Sequence, residues 1–193
     1  MIINPILFFL VYSVLGLYTL SLILILIYSL TQLNLLRYFL KYQKKIIPPN
    51  KKEPKKGWPK VTVQLPIYNE LYVIERLLKC ITALKYPKDK LQIQVLDDST
   101  DESLSLTKKL VAFYQNKGIL IEHNHRLNRE GFKAGALKEG LKSATGTFIA
   151  IFDSDFLPDS DWLFKTVPQF QNPAVGVVQT RWGHINRNYS VWT

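Results

Sequence analysis

The sequence predicts an α/β domain built on a mostly parallel sheet with flanking helices, preceded by one N-terminal transmembrane helix. Three observations carry that expectation. From Val61 to Gln179, short apolar β-type runs alternate with stretches of helical spacing, the pattern of successive βαβ units. The polar clusters come directly after the strand-like runs, where open α/β sheets hold their ligands. Residues 1–36 contain no charged side chain at all.

The apolar stretch runs from Pro5 to Leu30 with Leu-Ile-Leu-Ile-Leu-Ile at its centre. A bilayer needs ~20 apolar residues, so this stretch is long enough to span one. It lacks the charged start, short apolar core and small-residue cleavage site of a signal peptide. Residues 37–60 then hold nine Lys or Arg against one acid, which is +8 of the net charge of +10. Basic residues flanking a span mark the cytoplasmic side, so the expected topology has its N-terminus outside and the domain in the cytoplasm. Tyr38 and Tyr42 suit the headgroup level. Residues 46–60 are rich in Pro and Lys and read as a semi-extended linker, able to lie on anionic lipid. Residues 61–193 carry sixteen basic and fourteen acidic side chains. That near-neutrality opposes a nucleic-acid-binding role, which needs basic residues spread over the domain. Cys80 is the one cysteine and forms no intramolecular disulfide. Three segments follow: an anchor over 1–36, a basic linker over 37–60 and a folded domain over 61–193.

Within that domain the first strand is expected over Val61–Leu65, ended by Pro66. A helix follows from Glu70 to Leu84, with Val73, Ile74, Leu77, Leu78 and Ile81 at helical spacing, and Lys85-Tyr86-Pro87 breaks it. The second strand covers Leu91–Leu96. A helix over Asp101–Lys117 takes Thr100 as its N-cap. Ile119–Glu122 forms a short third strand, Gly131–Ser143 a helix, and Thr147–Phe152 the fourth strand. A helix over Asp159–Phe170, with Ser160 near its cap, leads to a fifth strand over Val175–Gln179.

Four polar clusters follow these strands and should share one rim. Asp153-Ser154-Asp155 ends an apolar strand in two carboxylates two residues apart. Buried or crowded charge is costly unless paired or metal-bound, and Mg²⁺ is usually held by one or two carboxylates plus phosphate oxygens. Asp97 and Asp98 can accept hydrogen bonds from a base or from ribose hydroxyls; the alternative is capping of the next helix by Asp98, Ser99 or Thr100, and both can hold. Tyr68 offers a flat face for a base, although core packing explains a lone tyrosine as well. Glu70 can favour a helix start or reach a ribose. Lys133 sits where a helix begins beside Gly131 and Gly135, the setting of a phosphate site; a solvated surface lysine is the alternative. Gly131 permits a positive φ at that entry. His123-x-His125 lacks the partners and spacing of a zinc site, which leaves the pair a structural or loop role. No dinucleotide-binding glycine pattern, P-loop or nucleophile elbow occurs.

Taken in order, Val63-Gln64-Leu65-Pro66-Ile67-Tyr68-Asn69-Glu70, Gln94-Val95-Leu96-Asp97-Asp98-Ser99-Thr100-Asp101, Gly131-Phe132-Lys133-Ala134-Gly135-Ala136-Leu137-Lys138, Ile151-Phe152-Asp153-Ser154-Asp155-Phe156 and Val178-Gln179-Thr180-Arg181-Trp182 resemble the family 2 inverting glycosyltransferases. Within them the chain is similar to cellulose-synthase-like, mannan-synthase-like polysaccharide synthases, over residues 61–193. The resemblance implies a GT-A, Rossmann-like fold and a UDP- or GDP-hexose donor. It implies that Tyr68, Glu70, Asp97 and Asp98 hold the nucleoside, that Lys133 contacts the diphosphate, and that Asp153 and Asp155 bind Mg²⁺ or Mn²⁺. It implies a glycan or lipid-linked acceptor, contact with membrane lipid and no nucleic-acid partner. The family's catalytic base lies in a later acidic motif that this sequence does not reach, and Gln179-Thr180-Arg181-Trp182 is one residue short of the family's Gln-x-x-Arg-Trp. The expectation is therefore a membrane-bound glycosyltransferase extending a β-linked glycan by inversion, present here as an inactive, truncated donor half-site. The competing expectation is a non-catalytic, membrane-tethered nucleotide-sugar-binding fragment.

Overall fold

A computed structural model describes residues 5–42, 54, 57–181 and 183. The chain divides into two compact units, Met1–Pro48 and Pro49–Thr193.

The first unit is one helix, α1 (Pro5–Tyr42), 38 residues long. It contains the predicted apolar span and continues twelve residues beyond Leu30, through Arg37 and Lys41. Pro5 occupies its first turn, where a missing N–H costs nothing, and no Pro or Gly follows between 17 and 42 to stop it. At ~1.5 Å per residue it is about 57 Å long, well beyond the ~30 Å of a hydrocarbon core. All its described residues are exposed. Thr19, Ser21, Ser29 and Thr31 each donate their hydroxyl to the carbonyl four residues back, at 2.8–2.9 Å. Those bonds satisfy the four hydroxyls within the helix on a largely apolar surface. Tyr38 and Tyr42 stack one turn apart, with ring centroids 6.2 Å apart.

The predicted linker is therefore helical up to Tyr42, and 43–53 and 55–56 lie outside the described residues. Its last residues are not free coil. Trp58 packs on the core, with its ring 4.7 Å from that of Phe164 and 5.7 Å from that of Tyr86. The Tyr86 hydroxyl donates to the Pro59 carbonyl at 2.7 Å.

The second unit is a parallel four-stranded sheet in the order β3-β2-β1-β4. Its elements are β1 (Val61–Ile67), α2 (Ile74–Thr82), β2 (Leu91–Asp97), α3 (Ser103–Asn116), β3 (Ile121–His125), α4 (Phe132–Leu141), β4 (Phe148–Ile151) and α5 (Trp162–Thr166). Short 3-10 turns occupy Lys88–Lys90 and Val167–Gln171.

Several boundaries move for local reasons. Pro66 stays inside β1. The carbonyls of Gln64 and Ile67 point to β4 and β2 respectively, so Pro66 faces the β4 side, past that strand's last paired residue, where its missing N–H breaks no ladder bond. Asn69 turns at φ 55, and α2 starts only at Ile74. Asp101, not Thr100, accepts the Ser103 N–H at 3.0 Å at the start of α3. Gly118 at φ 77 ends α3, and the chain needs Ile119 and Leu120 to return to the sheet. β3 therefore begins later, and His123 and His125 are strand residues. Pro168 has no N–H for the carbonyl of Phe164, so α5 tightens into the 3-10 turn. The fifth strand over Val175–Gln179 is not formed: the segment is irregular, and Val177 is 84 % exposed. Its apolar sequence favours β structure only where a neighbour strand and a packed face are present, and among the described residues none pairs with it.

The two faces of the sheet differ in chemistry. Val61, Val63, Leu65 and Ile67 of β1, with Leu91, Ile93 and Val95 of β2, pack against Ile74, Leu77, Leu78 and Ile81 of α2, Val111 of α3 and Leu163 of α5. The opposite face, under α4, carries Thr62, Gln64, Gln92 and Gln94, all buried and all hydrogen-bonded. Gly140 lets α4 close on that layer: a Cβ there would sit 2.7 Å from Gln64 Nε2 and 2.8 Å from Leu96. Parallel pairing sends the C-terminal ends of all four strands to one edge, and the candidate site is there.

Candidate functional site

Asp97 is the last residue of β2 and continues the Leu91-Ile93-Val95 face, which explains its complete burial. A buried carboxylate must be paired. His123 Nε2 lies 2.8 Å from Asp97 Oδ2, and the Ser99 N–H donates to Oδ1 at 2.8 Å. Burial pushes the Asp97 carboxyl up, but the hydrogen bonds from His123 and Ser99 outweigh it and hold the group below its ordinary value. His125 Nδ1 sits 3.1 Å from the Asp97 carbonyl. The two histidines are thus structural supports of the β2 end, as expected.

Asp98 is also buried, and Arg126 grips it bidentately, with Nε donating to Oδ1 at 2.7 Å and Nη2 to Oδ2. The same guanidinium donates to the carbonyls of Glu130 and Phe132. Arg126 therefore fixes the β2 end and the turn that launches α4 in one geometry. Gly131 caps that helix at φ 69, so the predicted positive φ is present. Phe132 follows at φ 48, a left-handed conformation rare for a bulky residue. Gly135 lies against the turn: a Cβ there would meet the Glu130 carbonyl oxygen at 1.9 Å.

Lys133, in the first turn of α4, forms an ion pair with Asp153. Asp155 is exposed two residues further on. Between them, Ser154 donates to Glu70 at 2.8 Å, which ties the end of β4 to the end of β1. The Asn69 N–H donates to Ser99 Oγ at 2.9 Å, and Asn69 Oδ1 accepts the Thr100 N–H at 3.0 Å, which ties β1 to β2. Tyr68 is 38 % exposed, and the Arg129 guanidinium lies 3.4 Å from the centroid of its ring. Arg129 Nε is 4.0 Å from Asp98 Oδ2.

Tyr68 and Asp98 thus meet through Arg129, Lys133 meets Asp153, Glu70 meets Ser154 and Asp97 meets Asn69 through Ser99, and chain adjacency at 69–70, 132–133 and 153–154 joins these contacts into one connected set. Sequence reasoning gave Arg126, Arg129 and Asn69 no role, and Ser99 only that of a possible helix cap. Asn69 carried a usable signal, since Asn tolerates the left-handed turn that its position needs. The arginines carried none, because their partners are 28 and 61 residues away in the chain.

Two exposed or half-exposed carboxylates, one already paired with a cationic side chain, are oxygen donors a hard divalent ion accepts. Among the described residues no group of three or more His, Cys, Asp and Glu gathers to enclose a metal. Two carboxylates of this kind fit Mg²⁺ or Mn²⁺ only as part of a donor set that phosphate oxygens and water would complete.

The parallel sheet with flanking helices and its strand ends at one edge is a fold of the GT-A type. A solved mannosyltransferase from Pyrobaculum calidifontis, in complex with GDP-Man and Mn²⁺, superimposes with a TM-score of 0.62 at 33 % identity, over 73 % of this chain and 41 % of that one. The family model described as glycosyl transferase family 2 matches residues 62–193, and the chain belongs to that family. Glucomannan 4-beta-mannosyltransferase 1 of Cyamopsis tetragonoloba is 40 % identical over 148 residues, covering 74 % of this chain and 28 % of that protein. A probable glucomannan 4-beta-mannosyltransferase 7 of Oryza sativa subsp. japonica is 44 % identical over 141 residues, covering 70 % and 24 %. The chain spans about a quarter of the length of these curated relatives.

Proposed function

We propose that this chain forms the donor-binding part of a membrane-anchored mannosyltransferase that takes a nucleoside-diphosphate sugar, GDP-mannose foremost, and extends a β-linked glycan by inversion. The observation that carries the reading is the joining of the β2-end acids, Lys133 and the Asp153-Ser154-Asp155 turn in one connected set of contacts and chain neighbours. The relatives that are named mannosyltransferases, and the neighbour that holds GDP-Man and Mn²⁺, support the donor.

In this reading Tyr68 stacks on the base, and the Asp97–Asp98 turn accepts hydrogen bonds from the nucleoside. Both acids are held by internal partners, yet each carboxylate oxygen has a second lone pair to offer. Glu70 acts through Ser154, orienting the turn that bears Asp153 and Asp155. Lys133 neutralises diphosphate charge from the first turn of α4, where free N–H groups and the helix dipole also favour an anion. A divalent ion on Asp153 and Asp155 would stabilise charge developing on the departing nucleotide. The Lys133–Asp153 pair is half-exposed and weak, so it opens readily for an incoming ion and diphosphate. α1 serves as the membrane anchor, with its Lys- and Arg-bearing end on the cytoplasmic side.

Titration calorimetry of the chain in mild detergent, with GDP or UDP in the presence and absence of Mn²⁺, tests the assignment. Binding should require Mn²⁺, favour GDP, and fall at least tenfold in Asp155→Ala. Undiminished affinity in that variant, or binding indifferent to metal, would overturn the site.

A further inference from the structure

One face of the Tyr68 ring is already covered by a side chain. The Arg129 guanidinium lies flat enough to approach the ring centroid to 3.4 Å, the spacing of stacked planar groups, and the Phe132 ring centroid is 5.2 Å away. On the donor-site reading above, we propose that Arg129 is an intramolecular occupant of the nucleobase platform, a planar cation that an incoming base must displace.

The contrast with its neighbour Arg126 supports this. Arg126 is mostly buried and held by two bonds to Asp98 and by the Glu130 and Phe132 carbonyls. Arg129 is 40 % exposed, and its nearest approach to Asp98 is 4.0 Å, at the limit of an ion pair. One arginine is built into the scaffold and the other rests on an aromatic surface by a contact of modest strength. A planar guanidinium matches a base in shape and stacking preference. It also presents N–H groups toward the Asp98 carboxylate, the same chemistry a base edge would present. Arg129 therefore keeps the platform dry and ordered without donor, and makes base affinity a difference between two stacking partners.

The experiment measures guanosine and uridine binding to the full chain in detergent, for the wild type, Arg129→Ala and Arg129→Gln. Removing the occupant should tighten nucleoside binding in Arg129→Ala by about two- to fivefold, the scale of an exposed cation–π contact. Arg129→Gln, which keeps a planar amide without charge, should fall between. Thermal unfolding of each variant controls for folding, and the exposure of Arg129 predicts no loss. Equal or weaker nucleoside binding in Arg129→Ala overturns the proposal; weaker binding would make Arg129 a wall that touches the base. If the wild type binds neither nucleosides nor GDP with Mn²⁺, the donor-site reading itself falls, and this inference with it.

Discussion

Gln92→Leu tests whether the polar layer under α4 holds the sheet together. Gln92 is 1 % exposed and takes part in five hydrogen bonds. Its Oε1 accepts the Thr62 hydroxyl at 2.7 Å, and the Thr145 N–H and hydroxyl at 2.8 Å each. Its Nε2 donates to Glu122 at 2.8 Å and to the Ser143 carbonyl at 3.0 Å. Leucine has nearly the same volume, so the loss is one of hydrogen bonding and not of packing. Thr62 is fully buried, and its hydroxyl, which still accepts the Gly146 N–H at 2.8 Å, loses the acceptor for its own proton at a cost of about 2 kcal/mol. Ser143 and Thr145 are exposed and Glu122 half-buried, so water replaces much of what they lose, at ~0.5 kcal/mol each. The sum is about 3.5 kcal/mol, a large share of the 5–15 kcal/mol typical of a whole domain. Urea unfolding followed by tryptophan fluorescence should show the midpoint falling by about 1–2 M at unchanged slope. Thr62→Val breaks the same bond and also takes the acceptor from the Gly146 N–H, so the double variant should lose at least ~1 kcal/mol less than the sum of the two single losses. A loss under ~1 kcal/mol for Gln92→Leu, or strictly additive losses in the double variant, would refute the claim that this layer is energetically coupled.

Two further outcomes follow from the geometry. In Gly135→Ala the new Cβ would lie 1.9 Å from the Glu130 carbonyl oxygen and 2.9 Å from Arg126 Nη1, so the turn must open. The strain should exceed alanine's helix advantage of ~1 kcal/mol, giving a net loss of about 1–2 kcal/mol in chemical unfolding together with weaker GDP binding; a stabilised variant would show that the turn is slack. Burial pushes Tyr86 up to about 12 from the ordinary value near 10. The fold therefore favours the neutral phenol: its contribution is complete below about pH 10 and is lost as pH climbs towards 12. Tyr86→Phe should cost about 1 kcal/mol at neutral pH through the lost bond to Pro59, and should flatten the alkaline limb of a stability-against-pH series.

The alternation of apolar runs with helical spacing determined the α/β class. Short parallel strands fed by helices leave few other ways to bury Val61, Val63, Leu65, Ile93 and Val95. The position of polar clusters after those strands determined where a site would be, because parallel pairing brings all the strand ends to one edge. What the sequence could not tell is how each polar residue is used. Val-Thr-Val-Gln-Leu and Leu-Gln-Ile-Gln-Val read locally as strands with one wet face, yet α4 covers that face, where Gln64 bonds Gln94 and Thr62 bonds Gln92. Asp97 and Asp98 are adjacent and chemically identical in the sequence. Only the tertiary structure gives one to His123 and the other to Arg126. Arg129 reads as a surface cation until the fold lays it on Tyr68. Pattern records the burial of a side chain, since burial follows the period of its own element. Partnership between side chains depends on register and loop closure, and those are settled only when distant segments meet.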